Sequence, residues 1–441
     1  MTFSQLNRTT WSNSSPDQSL HSFDTKMKIV LVVGARPNFM KAAPILNAIR
    51  NVNQHGVEVI TPVLVHTGQH YDSAMSDAFF ADLELPKPDI HLGVGSGSHA
   101  CQTAEIMRKF EAILQAERPD LVMVVGDVNS TVACALVTAK MSFDANGTRP
   151  LLAHVEAGLR SFDRSMPEEC NRVVTDHLSD LLFVTEESGL RNLETEGISK
   201  DRVFFVGNTM IDSLRACQAK ADSSPVLHDL QLISSKVGNG ATQIQSYALL
   251  TLHRPANVDD AAGFREILEG LQELSATTPI IFPAHPRTQQ SINKNGLGSY
   301  FNTLEVHSGP KHGIVIVSPL GYLDFVCLMK HAALVITDSG GIQEETTCLG
   351  VPCITVRENT ERPITIEIGS NVLAGTRKES IARAIQLQCS TSPKARVPDL
   401  WDGHAAERIV SVLLDKHVSR ISNEKGNNVS PTLQHAIPEV Q

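Results

Sequence analysis

Short apolar runs separated by helix-compatible stretches recur along this chain, and each run ends in a cluster of glycine and polar residues. Lys28 to Val33, Val59 to His66, Leu121 to Val125, Leu151 to Val155, Leu181 to Val184 and Val203 to Val206 read as buried strands. Between them, helical spacing runs over Met40 to Ile49, 72–82, 103–116, Val132 to Ala139 and 186–196. A polar, broken stretch follows at 225–245, and the alternation restarts with Tyr247 to Leu252, Ile280 to Pro283, Ile314 to Val317, Leu334 to Thr337 and Cys353 to Val356. Helices around 377–388 and 405–414 end the pattern. It predicts an α/β protein of two Rossmann-like, doubly wound domains facing a cleft, 27–207 and 208–400. Residues 401–418 are expected to form a helix packing back on the first domain. The polar stretches 1–26 and 419–441 read as a disordered extension and tail.

Composition narrows the function classes. At 441 residues the chain can bury two cores, and 41% hydrophobic with 20% charged residues is ordinary for a globular protein. A formal net charge of -10 argues against general nucleic-acid binding. No apolar run approaches a membrane span, and eight cysteines without C-x-x-C pairs read as reduced thiols in a cytoplasmic protein. No metal-ligand spacing, Walker A motif or dinucleotide fingerprint is present, so no cofactor is expected.

The candidate chemistry gathers at strand ends. In 334–363, two glycines follow a strand and open a helix, a backbone suited to phosphate. Arg362 follows the next strand on the same sheet edge, and of Glu344 and Glu345 one could accept a ribose hydroxyl while the other complements the helix dipole. His253-Arg254 and His285-Pro286-Arg287 end two more strands. In the first half, Arg36 and Lys41 lie in the first βα turn, and Asp127 and Glu156 end strands, where Asp127 could equally serve as an N-cap. Glu168 and Glu169 open a helix behind Pro167. Acids in one half and cations with helix dipoles in the other suggest a nucleoside diphosphate held by one lobe and a polar moiety worked on by the other.

With these residues assembled, 28–414 resembles the non-hydrolysing UDP-N-acetylglucosamine 2-epimerases. The motifs are GARPNFMKAAP, HTGQHYD, GDVNST, HVEAGLRSFDRSMPEECNR, TLHRPAN, DSGGIQEE and TERP. The resemblance implies the glycosyltransferase-B arrangement, a homodimer, and reversible inversion at C2 of UDP-N-acetylglucosamine through a 2-acetamidoglucal. It assigns catalysis to Asp127, Glu156 and Glu168, and substrate contacts to Arg36 and Lys41. His253, Ser339, Gly340, Gly341, Glu345 and Arg362 match UDP-binding positions, and Phe325 an aromatic near the uracil. Gln69, His70 and Arg108 match part of a second, activating substrate site of some bacterial members, whereas Asp72 does not match its second Gln. Asn38, Pro255-Ala256 and Leu320 also depart from the common pattern. Competing readings are a hydrolysing relative, an epimerase of a UDP-diacetamido-uronic acid, a catalytically silent UDP-sugar sensor, and a glycosyltransferase of the same fold.

Overall fold

Runs such as Leu121–Val125, buried at every position, can only sit in a sheet covered on both faces, and parallel strands joined by crossover helices supply that environment. The computed structural model describes residues 26–54, 58–69, 82–234, 243–303, 309–390 and 396–427, apart from the side chains of Arg36, Ser234, Thr303 and 421–427. His70, the helix anticipated at 72–82 up to residue 81, the extension before Lys26 and the tail from residue 428 lie outside them.

The first sheet contains β1 (Met27–Val33), β2 (Ile60–His66), β3 (Ile90–His91), β4 (Leu121–Val125), β5 (Leu151–Ala157), β6 (Leu181–Val184) and β7 (Val203–Phe205). Its order is β3-β2-β1-β4-β5-β6-β7, parallel throughout. A two-stranded antiparallel pair, β8 (Ile233–Ser234) and β9 (Gln243–Ile244), falls in the polar stretch between the lobes. The second sheet contains β10 (Ala248–Thr251), β11 (Ile280–Pro283), β12 (Phe301–Thr303), β13 (Ile314–Val317), β14 (Leu334–Thr337), β15 (Cys353–Thr355) and β16 (Asn371–Leu373). It is ordered β12-β13-β11-β10-β14-β15-β16, again parallel. The short edge strands β3 and β12 carry too few residues for a periodic signal, which is why the apolar pattern does not announce them.

Both sheets reverse strand order at one point, β1/β4 and β10/β14, and a crevice opens beyond the carboxyl ends there. The residues that follow those four strands are Gly34, Gly126-Asp127, Leu252-His253 and Asp338-Ser339. The fold therefore aims the suspected chemistry of each half at the same gap.

One apolar cluster threads from β1 and the helix Arg36–Asn53, through the helix Thr209–Ala221, to β10 and the helix Tyr322–His331. The helix Ala405–Asn427 joins it through Ala406, Ile409, Val410 and Leu413. Its entry is fixed by three hydrogen bonds, one to Thr185 and two to Asp212. Trp401 Nε1 donates to the Thr185 carbonyl at 2.9 Å, and the Asp212 carboxylate accepts from the N–H groups of Ala405 (3.2 Å) and Ala406 (2.7 Å). Asp212 thus caps a helix far from it in sequence. Burial nevertheless pushes its carboxyl up to about 6.

Candidate functional site

A β-bulge makes the centre of the site. The β5/β6 register shifts between Val155 and Ala157, and Glu156 takes φ +76°, a region that costs a side-chain-bearing residue about 1–3 kcal/mol. The following Gly158, at φ +84°, could carry no Cβ, because that atom would lie 2.6 Å from the Gly189 carbonyl. The strained backbone turns Glu156 into the gap at the carboxyl edge. There it pairs with Lys41 on one side and, across the lobes at 3.0 Å, with Arg362 Nη2 on the other. All of these side chains are buried.

Arg362 is the hub on the second lobe. Its guanidinium also meets Glu361 (2.8 Å) and Glu344 (2.9 Å). Burial opposes its charge, but Glu344, Glu156 and Glu361 together hold it firmly protonated. The contact with Glu344 lacks hydrogen-bond alignment, so both Glu344 carboxylate oxygens and Arg362 Nε are buried without a hydrogen bond. Burial, reinforced by Glu156, raises the Glu344 carboxyl against the pull of Arg362. At Gly340 a Cβ would lie 2.6 Å from Arg362 Nη1, so any side chain there would displace the guanidinium. That glycine opens the helix Gly340–Leu349, whose N-cap Ser339 makes no side-chain capping bond and whose first turn holds no acid. Positive potential there is left for an anion.

His253 reaches the same edge from β10. Asp338, fully buried at the end of β14, receives its Nδ1 at 2.8 Å together with the N–H of Arg254 (2.9 Å) and the amide of Asn257 (3.1 Å). Burial works against the Asp338 charge, yet these donors hold its carboxyl below the ordinary range. The histidine ring is oriented by that bond while remaining half exposed to the gap.

On the first lobe, Asp127 is not an N-cap; Val128 takes that position and Arg172 grips the Asp127 carboxylate. Burial favours the neutral acid, but Arg172 and Lys41 outweigh it and keep Asp127 below its usual range. Arg172 also binds Glu169, whose carboxylate accepts from the Ser161 and Phe162 N–H groups. Glu168, half-buried on the first turn of the helix Pro167–Leu178, lies close enough to Arg254 to stabilise its charge.

The structure thus brings Lys41, Glu156, Gly340 and Arg362 into one contact group, with Asp127 within electrostatic reach. Gly341 packs on Met210, which a Cβ would approach to 3.1 Å, and Ser339 is half-buried at the helix start. Glu345 lies deeper and accepts from the Tyr322 hydroxyl at 2.9 Å. Phe325 is partly buried against the central cluster. Arg36 is the first residue of the helix Arg36–Asn53. Gln69 Oε1 accepts from the N–H (3.0 Å) and hydroxyl (2.7 Å) of Ser130, so it braces the β4 turn, while Arg108 pairs with Glu105 on an exposed helix face. Asn38, which departs from the family pattern, donates to the Val125 carbonyl and accepts from the N–H groups of Gly34 and Ala35. It ties the β1 turn to β4.

Sequence reasoning passed over Arg172, Glu361, Asp338 and the role of Glu344. Each lies inside a motif already quoted, and the available signal was charge at a strand end or in a first helical turn. Among the described residues no group of His, Cys, Asp and Glu is placed to hold a metal ion, and no helix is long and apolar enough to cross a membrane.

A family model described as UDP-N-acetylglucosamine 2-epimerase matches residues 52–414. A relative from Methanocaldococcus jannaschii named UDP-N-acetylglucosamine 2-epimerase is 40% identical over 394 residues, covering 88% of this chain and 99% of its own length. A Pseudomonas aeruginosa relative named UDP-2,3-diacetamido-2,3-dideoxy-D-glucuronate 2-epimerase is 35% identical over 88% of this chain and 99% of its own. The solved structure of the Methanocaldococcus jannaschii UDP-GlcNAc 2-epimerase in complex with UDP-GlcNAc and UDP superposes with a TM-score of 0.76 at 39% identity, covering 88% of this chain and 99% of that one.

Proposed function

The chain belongs to the UDP-N-acetylglucosamine 2-epimerase family, and from that premise we propose that it is an isomerase interconverting UDP-N-acetylglucosamine and UDP-N-acetylmannosamine. The C2–H bond has no neighbouring carbonyl to acidify it, so direct deprotonation is a poor route. Elimination is a better one. A carboxylate takes the C2 proton, the C1–O bond breaks, and UDP leaves with the bonding pair as a C1=C2 double bond forms. UDP then adds back to C1 while a proton reaches C2 from the opposite face, giving the manno epimer.

The observation that carries this reading is the pairing of Arg362 with Glu156 across the lobes at 3.0 Å. It puts a cation suited to the leaving diphosphate beside a carboxylate suited to the sugar. Arg362, His253 and the helix start at Ser339, Gly340 and Gly341 take up the charge that develops on UDP. Glu345 serves the ribose and Phe325 the uracil, while Arg36 and Lys41 lie towards the sugar and its phosphate. Asp127, Glu156 and Glu168 supply base and acid, each role contributing about 10²–10⁴ in rate. Gln69, His70 and Arg108 are the candidate contacts of a second, activating substrate molecule. The same reading carries a cytoplasmic homodimer, supported by eight unpaired cysteines and by the family resemblance.

The test is proton and phosphorus NMR with UDP-N-acetylglucosamine in deuterated water. Both epimers should acquire deuterium at C2 with little free UDP. Stoichiometric free UDP and free sugar would mean hydrolysis, and an untouched substrate would redirect attention to the uronate sugar nucleotide.

A further inference from the structure

The two loops that carry the chemistry also touch each other outside it. The loop from β5 to the helix Pro167–Leu178 spans 158–166, between Glu156 on the strand and Glu168 on the helix. Its base is rigid, because the buried Glu169 carboxylate accepts from the Ser161 N–H (3.0 Å), the Ser161 hydroxyl (2.9 Å) and the Phe162 N–H (2.8 Å). At its tip Asp163 Oδ1 accepts from the N–H and hydroxyl of Ser165, closing a small turn. That turn reaches the second lobe. Asn359 Nδ2 donates to Asp163 Oδ2 at 3.2 Å, and Met166 Sδ lies 3.8 Å from Arg357 Nη2 and 4.0 Å from Arg254 Nη1. Arg357 Nη2 steadies Asn359 from behind, donating to its Oδ1 at 3.2 Å. On this side the loop 357–362 ends in Arg362 itself.

We infer that Asp163 and Asn359 form a latch between the lobes, a positioning pair that keeps the cleft shut over the reaction intermediate. The inference rests on the elimination and re-addition reading. Between the two half-reactions the site holds UDP and the unsaturated sugar as separate molecules, and no covalent bond retains either. Retention depends on how long the lobes stay together relative to re-addition. The Glu156–Arg362 bridge cannot supply it, because Arg362 must turn to the diphosphate once substrate is bound. Asp163 and Asn359 touch neither reacting group, so their bond survives substrate binding and acts on escape rather than on the chemical step.

The test compares the full-length parent with Asp163→Ala, Asn359→Ala and the reciprocal double variant Asp163→Asn with Asn359→Asp. Proton and phosphorus NMR with UDP-N-acetylglucosamine give the free UDP and 2-acetamidoglucal released per epimer formed. Both single variants should raise that ratio, by up to about tenfold for one lost hydrogen bond to a charged group. The reciprocal swap, which exchanges donor and acceptor, should return it towards the parent. A raised ratio in Asp163→Ala with a parental ratio in Asn359→Ala would overturn the latch and assign the effect to the Ser165 turn. Parental ratios in both would overturn it while leaving epimerisation standing. If Asp163→Ala fails to fold, Asn359→Ala decides alone. A parent that forms no epimer removes the reading beneath the latch, and the latch with it.

Discussion

His154 and Glu156 lie two residues apart on β5, each buried among charges, yet the two clusters around them are completed to different degrees. His154 gives Nδ1 to Asp176 (2.7 Å) and Nε2 to the Gly126 carbonyl (2.8 Å). Asp176 also takes the Gly158 N–H (3.0 Å) and Arg160 (2.7 Å), and Arg160 forks onto Glu196. None of these side-chain atoms is buried without a partner. Around Glu156 and Arg362, in contrast, the charges are paired without full hydrogen bonding. Glu344 Oε1 lies 2.9 Å from Arg362 Nε, and Glu361 Oε2 lies 2.8 Å from Arg357 Nη2. Yet none of the three atoms Glu344 Oε1, Arg362 Nε and Glu361 Oε2 makes a hydrogen bond, and neither do Arg357 Nη1 and Glu186 Oε2. Burying charges whose hydrogen bonds are incomplete is costly, and such a cluster at the cleft edge keeps donors and acceptors that a ligand could engage. The closed cluster is scaffold. The open one coincides with the proposed site.

The sharpest way to break that contrast is to open the closed cluster. Asp176→Ala strips a partner from both His154 and Arg160, and removing one member of a buried ion pair typically costs about 3–5 kcal/mol. Thermal unfolding should show a lobe that barely folds, with activity lost only in proportion to folded protein. A variant with parental stability would mean that the completed cluster does not support the fold.

Glu156→Gln asks the converse question of the open cluster. Stability should fall by less than in Asp176→Ala, because glutamine keeps the side chain's shape and an acceptor for Lys41 and Arg362, while Glu344 and Glu361 still neutralise Arg362. Turnover should fall by about 10²–10⁴ if Glu156 handles a proton. Binding of UDP, measured by calorimetry, should hold or tighten, since Arg362 and Lys41 lose a competing carboxylate. Loss of UDP affinity in step with turnover would make Glu156 a binding residue.

This difference in completeness is what the sequence alone could not display. Strands such as Leu121–Val125 and Leu334–Thr337 are legible because burial on both faces demands continuous apolar runs, and the strand ends follow from where those runs stop. Position on the carboxyl edge follows from parallel topology, so Lys41, Asp127, Glu156, His253 and Arg362 could be gathered before any coordinates. Which carboxylate meets which cation could not be. Glu344 and Glu345 are adjacent in the chain, but the helix turns them to different surroundings, Arg362 for one and the Tyr322 hydroxyl for the other. Asp127 resembles an N-cap until Arg172, 45 residues later, is seen to hold it. The bulge that aims Glu156 leaves no mark on its own residues, because the strain at φ +76° is maintained by packing around it.

An effect confined to high pH is expected at Glu186, on the margin of the open cluster. Its carboxyl is almost wholly buried beside Glu344, accepts from the Ser188 hydroxyl through one oxygen, and has no partner for the other. Burial, with Glu344 adding to it, pushes its pKa up to about 8 from an ordinary 4.5. In the unfolded chain the group ionises near the ordinary value, so between these limits the native state holds a proton that the unfolded state has released. The group's contribution to stability is therefore complete below pH 4.5 and is lost as pH rises through 8. Glu186→Gln imitates the neutral acid at every pH. Its melting temperature should match the parent's near pH 5 and exceed it near pH 9, with a flatter profile between. Parallel profiles for parent and variant would show Glu186 ionised in the native state, and would place its carboxylate with the satisfied charges around His154 rather than with the waiting ones around Glu156.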